Sequence, residues 1–140
     1  MRRAFYALVI AVVALIGAPT AAFAGSPHFI KSATVISASG DTLTVSGKEA
    51  GLGDELQVHV VLTATALCIN GGGNHPKAVN KGSFSSEGDF PVQNGKADFS
   101  LTLTATFQPD CSPPMTVSWT DISLTDTTNN ITLNIPGTFP

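Results

Sequence analysis

The chain is poor in the residues from which most binding and catalytic surfaces are built. Its one Tyr is Tyr6, close to the N-terminus, and its one Trp is Trp119. Binding surfaces favour these two because each offers a stiff, broad area with a polar handle. A sugar-binding platform of exposed rings therefore has little to draw on. Basic charge is scarce as well. Arg2 and Arg3 are the only arginines, and residues 25–140 hold five Lys against ten Asp and Glu, a balance of −5. That balance argues against nucleic acid as a partner, since neutralising phosphates with Lys and Arg supplies much of the affinity. It argues equally against docking on anionic lipid.

Chemical motifs are also missing. His28, His59 and His75 lie far apart without metal-ligand spacing, and Asn70 or Asn74 beside His75 would make a poor transition-metal ligand. Glu87, Asp89, Asp110, Asp121 and Asp126 are scattered near loops without the alternating Asp pattern of a calcium loop, and read as surface solubility. There is no Gly-x-Ser-x-Gly elbow for a hydrolase nucleophile. No Lys-Ser or Lys-Thr follows the Gly-rich tract, as a phosphate loop requires. The sequence predicts no catalytic residue, no metal site and no cofactor.

The only long apolar run lies at the start. Arg2 and Arg3 precede the apolar stretch Ala7–Ile16, and Ala22-Phe23-Ala24 places small residues before Gly25. This is the three-zone pattern of a secretory signal peptide, cleaved after Ala24. The run is shorter than the ~20 residues a spanning helix needs, so no membrane insertion is expected after cleavage. Residues 1–24 are thus a leader, and residues 25–140 are long enough for one domain with its own core.

Export puts the only two cysteines, Cys68 and Cys111, in an oxidising compartment, where they are expected to pair. A cross-link of that span is worth ~4 kcal/mol by the chain-entropy argument. It also removes both thiols from any Cys–His chemistry.

What the mature chain does have is alternation. From Leu56 to Cys68 the even positions are Leu, Val, Val, Leu, Ala, Ala and Cys, which predicts a half-buried strand with His59 pointing outward. A second strand shares one face through Ala97, Phe99, Leu101, Leu103, Ala105 and Phe107. Before it stands Asn94-Gly95, a type I′ hairpin pair that sets Val92 opposite Ala97 and Phe90 opposite Phe99. Pro91 would then fall at a hydrogen-bonded position, so a short edge strand or a bulge is expected there. Met115–Thr125 reads as a strand whose phase slips between Trp119 and Ile122, the mark of a bulge near Thr120 or Asp121. Upstream, Phe29–Ser39 reads as a first strand, Thr42–Val45 as a short second one, and the Gly-rich stretch 47–54 as a loop. Ile131, Leu133 and Ile135 close the chain as an alternating strand. A bridge at Cys68–Cys111 further requires the two long strands to run in the same direction, separated by another strand or lying on different sheets.

Seven to eight short strands with turn signals and no mature helix predict an all-β, antiparallel immunoglobulin-like β-sandwich with one disulfide. An antibody-type domain does not fit, because Trp119 follows both cysteines. A small barrel is the alternative.

Several stretches taken together are also familiar: Ala50-Gly51-Leu52-Gly53, the run from Cys68 through Asn70, Gly71, Gly72, Gly73, Asn74 and His75 to Pro76, Cys111-Ser112-Pro113-Pro114, and Ser123-Leu124-Thr125-Asp126. With them the chain resembles a group of small secreted bacterial β-sandwich proteins with a Cys-x-Asn-Gly-Gly-Gly loop. The resemblance implies export and fold, and carries no activity, ligand or catalytic residue.

The functional expectation is a secreted, non-enzymatic protein acting through its surface, with an extracellular protein or a cell-envelope component as partner. The contact region would be Asn70, Gly71, Gly72, Gly73, Asn74 and His75 beside the loop 108–115, held together by the disulfide. Two alternatives stand beside it: a metal-dependent or hydrolytic enzyme with a site near His75, and a structural coat component.

Overall fold

The computed structural model describes residues 25–70 and 80–140. Among them are eight strands and no α-helix: β1 (His28–Phe29), β2 (Val35–Ser39), β3 (Thr42–Ala50), β4 (Gln57–Ile69), β5 (Lys81–Gln93), β6 (Lys96–Thr104), β7 (Thr116–Asp126) and β8 (Ile131–Ile135). They form one antiparallel sheet in the order β1-β3-β6-β5-β4-β7-β8, with β2 sharing the β3 edge with β1. The sheet curls round and nearly closes into a barrel.

The long strands follow their alternation. Along β4, Val58, Val60, Leu62, Ala64, Ala66 and Cys68 point into the core, and along β6 and its continuation so do Ala97 through Phe107 at every second residue. Asn94 and Gly95 have φ of 53° and 74°, as a type I′ turn requires, and Val92 pairs with Ala97. That ladder stops short of Pro91, which has no N–H to give. From Pro91 back to Lys81, β5 pairs with β4 instead. Pro91 is therefore a corner where one strand changes neighbour. Phe90 and Phe99 are not ladder partners, but their rings meet edge to face at 6.3 Å.

The phase slip in β7 is a bulge. Thr63 pairs with Ser123 and Thr65 with Thr120, so Asp121 and Ile122 together stand opposite Ala64. Asp121 takes the left-handed φ of 51° that the extra residue needs.

Four expectations need correction. The first strand is broken by a 3-10 turn at Lys31–Ala33 into β1 and β2. β3 continues past Val45 to Ala50, because Gly47 leaves room for the Phe99 ring, which a Cβ there would meet at 2.9 Å. β5 is neither short nor an edge strand: it has 13 residues and lies between β4 and β6. Its inward positions include Gly82 and Gly88, over which the Phe84 and Phe90 rings fold. Leu56, expected in the core, precedes β4 and is 88% exposed.

β4 and β6 run in the same direction with β5 between them, as the cysteine pairing required. One end of the barrel carries the end of β4 and the segment after β6. The other carries the β3–β4 connection, the Asn94-Gly95 turn and the β7–β8 turn.

Candidate functional site

Cys68 and Cys111 are bonded. Cys68 is buried at the end of β4, and Cys111 is half-buried in the segment joining β6 to β7. Met115 Sδ lies 3.7 Å from Cys68 Sγ, a contact of polarisable sulfurs, since the oxidised Sγ has no proton to donate. The joining segment contains two cis peptides, Gln108–Pro109 and Pro113–Pro114, and the Met115 N–H donates to the Ser112 carbonyl at 2.9 Å. Gln108, Pro109, Asp110, Ser112, Pro113 and Pro114 are exposed, as is Asn70 where β4 ends. Gly71, Gly72, Gly73, Asn74 and His75 lie outside the described residues.

A second polar group lies on the outer face of β4 and β5. His59 Nδ1 is 2.7 Å from Asp89 Oδ1, and His59 Nε2 is 3.2 Å from Glu87 Oε2. Each carboxylate asks its nitrogen for an N–H, so the doubly protonated ring suits the site. The hydrogen bond to Asp89, then that to Glu87, raise the His59 pKa above its ordinary value against a smaller opposing effect of burial. The two carboxylates take opposite ring nitrogens and so do not converge on one cation. Among the described residues, no three His, Cys, Asp or Glu side chains are grouped to hold a metal ion.

The third group is internal. Glu49, near the end of β3, and Asp126, at the end of β7, are both inaccessible to solvent. Asp126 Oδ1 accepts the backbone N–H groups of Thr128 and Asn129 at 2.8 and 3.1 Å, and its Oδ2 accepts Asn129 Nδ2 at 2.6 Å. The same Asn129 amide donates to Glu55 Oε2 at 3.1 Å. Neither Glu49 oxygen receives a hydrogen bond. Burial, then the neighbouring Asp126, push the Glu49 carboxyl up to about 9, so it is protonated at neutral pH and donates towards Asp126. Burial alone would raise Asp126 too. The hydrogen bonds from Glu49, Asn129 and Thr128 outweigh it and hold this carboxyl below its usual range.

Sequence reading missed this pair. It assigned Asp126 to the surface and placed Glu49 in a loop. The signal was nonetheless present: Leu43, Val45 and Glu49 keep one parity, as do Ile122, Leu124 and Asp126 once the bulge is counted.

No family model, curated protein or solved structure matches this chain.

Proposed function

We propose that the chain is an exported, non-enzymatic binding domain that meets an extracellular protein or a cell-envelope component through the end of the barrel tied by Cys68–Cys111. The observation that supports it most is the disulfide, which ties the segment 108–115, exposed except at Cys111 and Met115, to the end of β4. A bond of this kind persists in an oxidising compartment, in keeping with residues 1–24 acting as a signal peptide removed after Ala24. Chemistry offers less support for an enzyme. His59 has both nitrogens engaged by carboxylates, and the Glu49–Asp126 pair is closed to solvent. In this reading the immunoglobulin-like description refers to how the β1-β3-β6 and β4-β7-β8 portions pack across one core, with β5 paired to both.

Capture from the exported fraction of the host tests the assignment. Deleting Gly71–Gly73 should abolish capture of any partner the native domain retains, while Thr102→Lys on the outer face of β6 should leave capture unchanged. Undiminished capture by the deletion variant contradicts the proposal.

A further inference from the structure

Residues 25–29 close onto the barrel from the first of them. Phe29 is buried, pairs with Glu49 in the β1–β3 ladder, and meets the Phe99 ring edge to face at 5.6 Å. Ahead of it, the backbone of Gly25 and Ser26 lies directly on Gly51. A Cβ on Gly51 would run into the Ser26 carbonyl oxygen, and would stand 2.7 Å from the Ser26 carbonyl carbon and 2.8 Å from the Gly25 oxygen. Gly51 also has a left-handed φ of 74°, so glycine is required there on both counts. The same Ser26 oxygen accepts a hydrogen bond from His28 Nδ1 at 2.7 Å.

This seat adjoins the cleavage point expected after Ala24, since Gly25 and Ser26 directly follow that bond. A peptidase takes its substrate as an extended strand, with main-chain hydrogen bonds on both sides of the bond it cuts. Gly25 and Ser26 are open to solvent on their outer side, but their carbonyl oxygens lie against Gly51. They cannot occupy this seat and a peptidase cleft together.

We propose that folding of the domain shuts the Ala24–Gly25 bond: the leader is removed only while residues 25–29 are undocked, and a chain that folds first keeps it. This order of events rests on residues 1–24 being a signal peptide. Hydrolysis adds one water across the Ala24–Gly25 amide, leaving a carboxylate on Ala24 and an amine on Gly25. The peptidase supplies the catalytic groups, and the domain controls access. Releasing the whole segment takes the Phe29 ring out of the core and away from Phe99, so the open form is sparsely populated. The seat lies at the end of the barrel opposite the disulfide and does not depend on the role of the disulfide-tied loops.

The test uses the full chain, disulfide intact and in detergent, treated with purified signal peptidase, with the products read by mass. Two variants frame it. Leu62→Asp combined with Leu124→Asp places charges at two fully buried ladder partners and should unfold the barrel. The other inserts Ser-Gly-Ser-Gly-Ser-Gly between Gly25 and Ser26, so that its last glycine takes the seat on Gly51 while the Ala24–Gly25 bond stands clear. Cleavage of the folded native chain should be at least about tenfold slower than that of the unfolded variant. The spacer variant, shown to be folded by its amide NMR spectrum, should be cut as fast as the unfolded one. Equal rates for the folded native chain and the unfolded variant would overturn the proposal. So would a spacer variant cut as slowly as the native chain. Failure of all three chains to be cut after Ala24 would contradict the signal peptide itself, and the proposal with it.

Discussion

Glu49 and Asp126 face one another inside the barrel, beyond the reach of water, and are complementary only while Glu49 holds a proton. Both are fully buried, and Asp126 is already supplied with donors from Thr128 and Asn129. The charged groups acting on Glu49 are Asp126 from β7 and Glu55 from the β3–β4 connection, both acidic. Its ladder partners on β1 and β6 are Phe29 and Ala97, which carry no charge.

This pairing makes the stability of the domain depend on pH. Glu49 has a pKa of 4.5 in its ordinary state and about 9 here, so the folded chain binds the extra proton between those values. Its contribution to stability is complete below pH 4.5 and is lost as pH rises towards 9, at no more than ~1.4 kcal/mol per pH unit. Asp126 acts in the opposite sense: its contribution is lost as pH falls below its usual 3.8. Glu49→Gln keeps a donor towards Asp126 without the titrating proton. Urea denaturation of that variant should show a flatter dependence between pH 5 and 9. A profile as steep as the native one would place the titration elsewhere.

His59 gives an independent check on the outer face. Its imidazole should titrate above 6.5 by NMR, because Asp89 and then Glu87 favour the charged ring. Asp89→Asn should bring the midpoint down. An unshifted midpoint in the native chain would mean that the two carboxylates do not hold the ring in solution. The sign is that of a raised histidine: its contribution is complete below pH 6.5 and fades as pH passes the folded value.

Replacing Cys68 and Cys111 together by Ser should cost ~4 kcal/mol, measured by urea denaturation. A loss below ~1 kcal/mol would mean that core packing alone holds the end of β4 in place.

The bulge has its own signature. Asp121 is exposed, so its side chain matters little, but its φ of 51° is unfavourable for a branched residue. Asp121→Val should destabilise the domain by ~1–2 kcal/mol, while Asp121→Gly should be tolerated. Equal stability of the two variants would remove the left-handed turn from the account.

Local periodicity made much of this fold readable. β4 and β6 alternate so cleanly that their faces follow from residue parity, Asn94-Gly95 fixed one register, and the slip from Trp119 to Ile122 located an extra residue. What failed was read from composition. Three glycines between Gly47 and Gly53 looked like a loop, yet Gly47 continues β3 because the Phe99 ring occupies the space of its missing side chain. β5 is Ser- and Gly-rich, so its inward face shows few apolar residues, and rings from Phe84 and Phe90 cover the gaps. Glu49 and Asp126 escaped because charge was taken as a sign of the surface. Their parity said otherwise, and a shared proton reconciles the two. The strand edges at β2 and β8 depend on the sheet order as a whole, which no local pattern encodes.

The intact mass of the native protein, collected after export and treated with an alkylating agent before any reduction, tests the central claim most directly. The expected mass is that of residues 25–140 less two hydrogens, with no alkyl group added. A mass that retains residues 1–24, or that gains alkyl groups at both Cys68 and Cys111, would contradict an exported domain joined at one end by its disulfide.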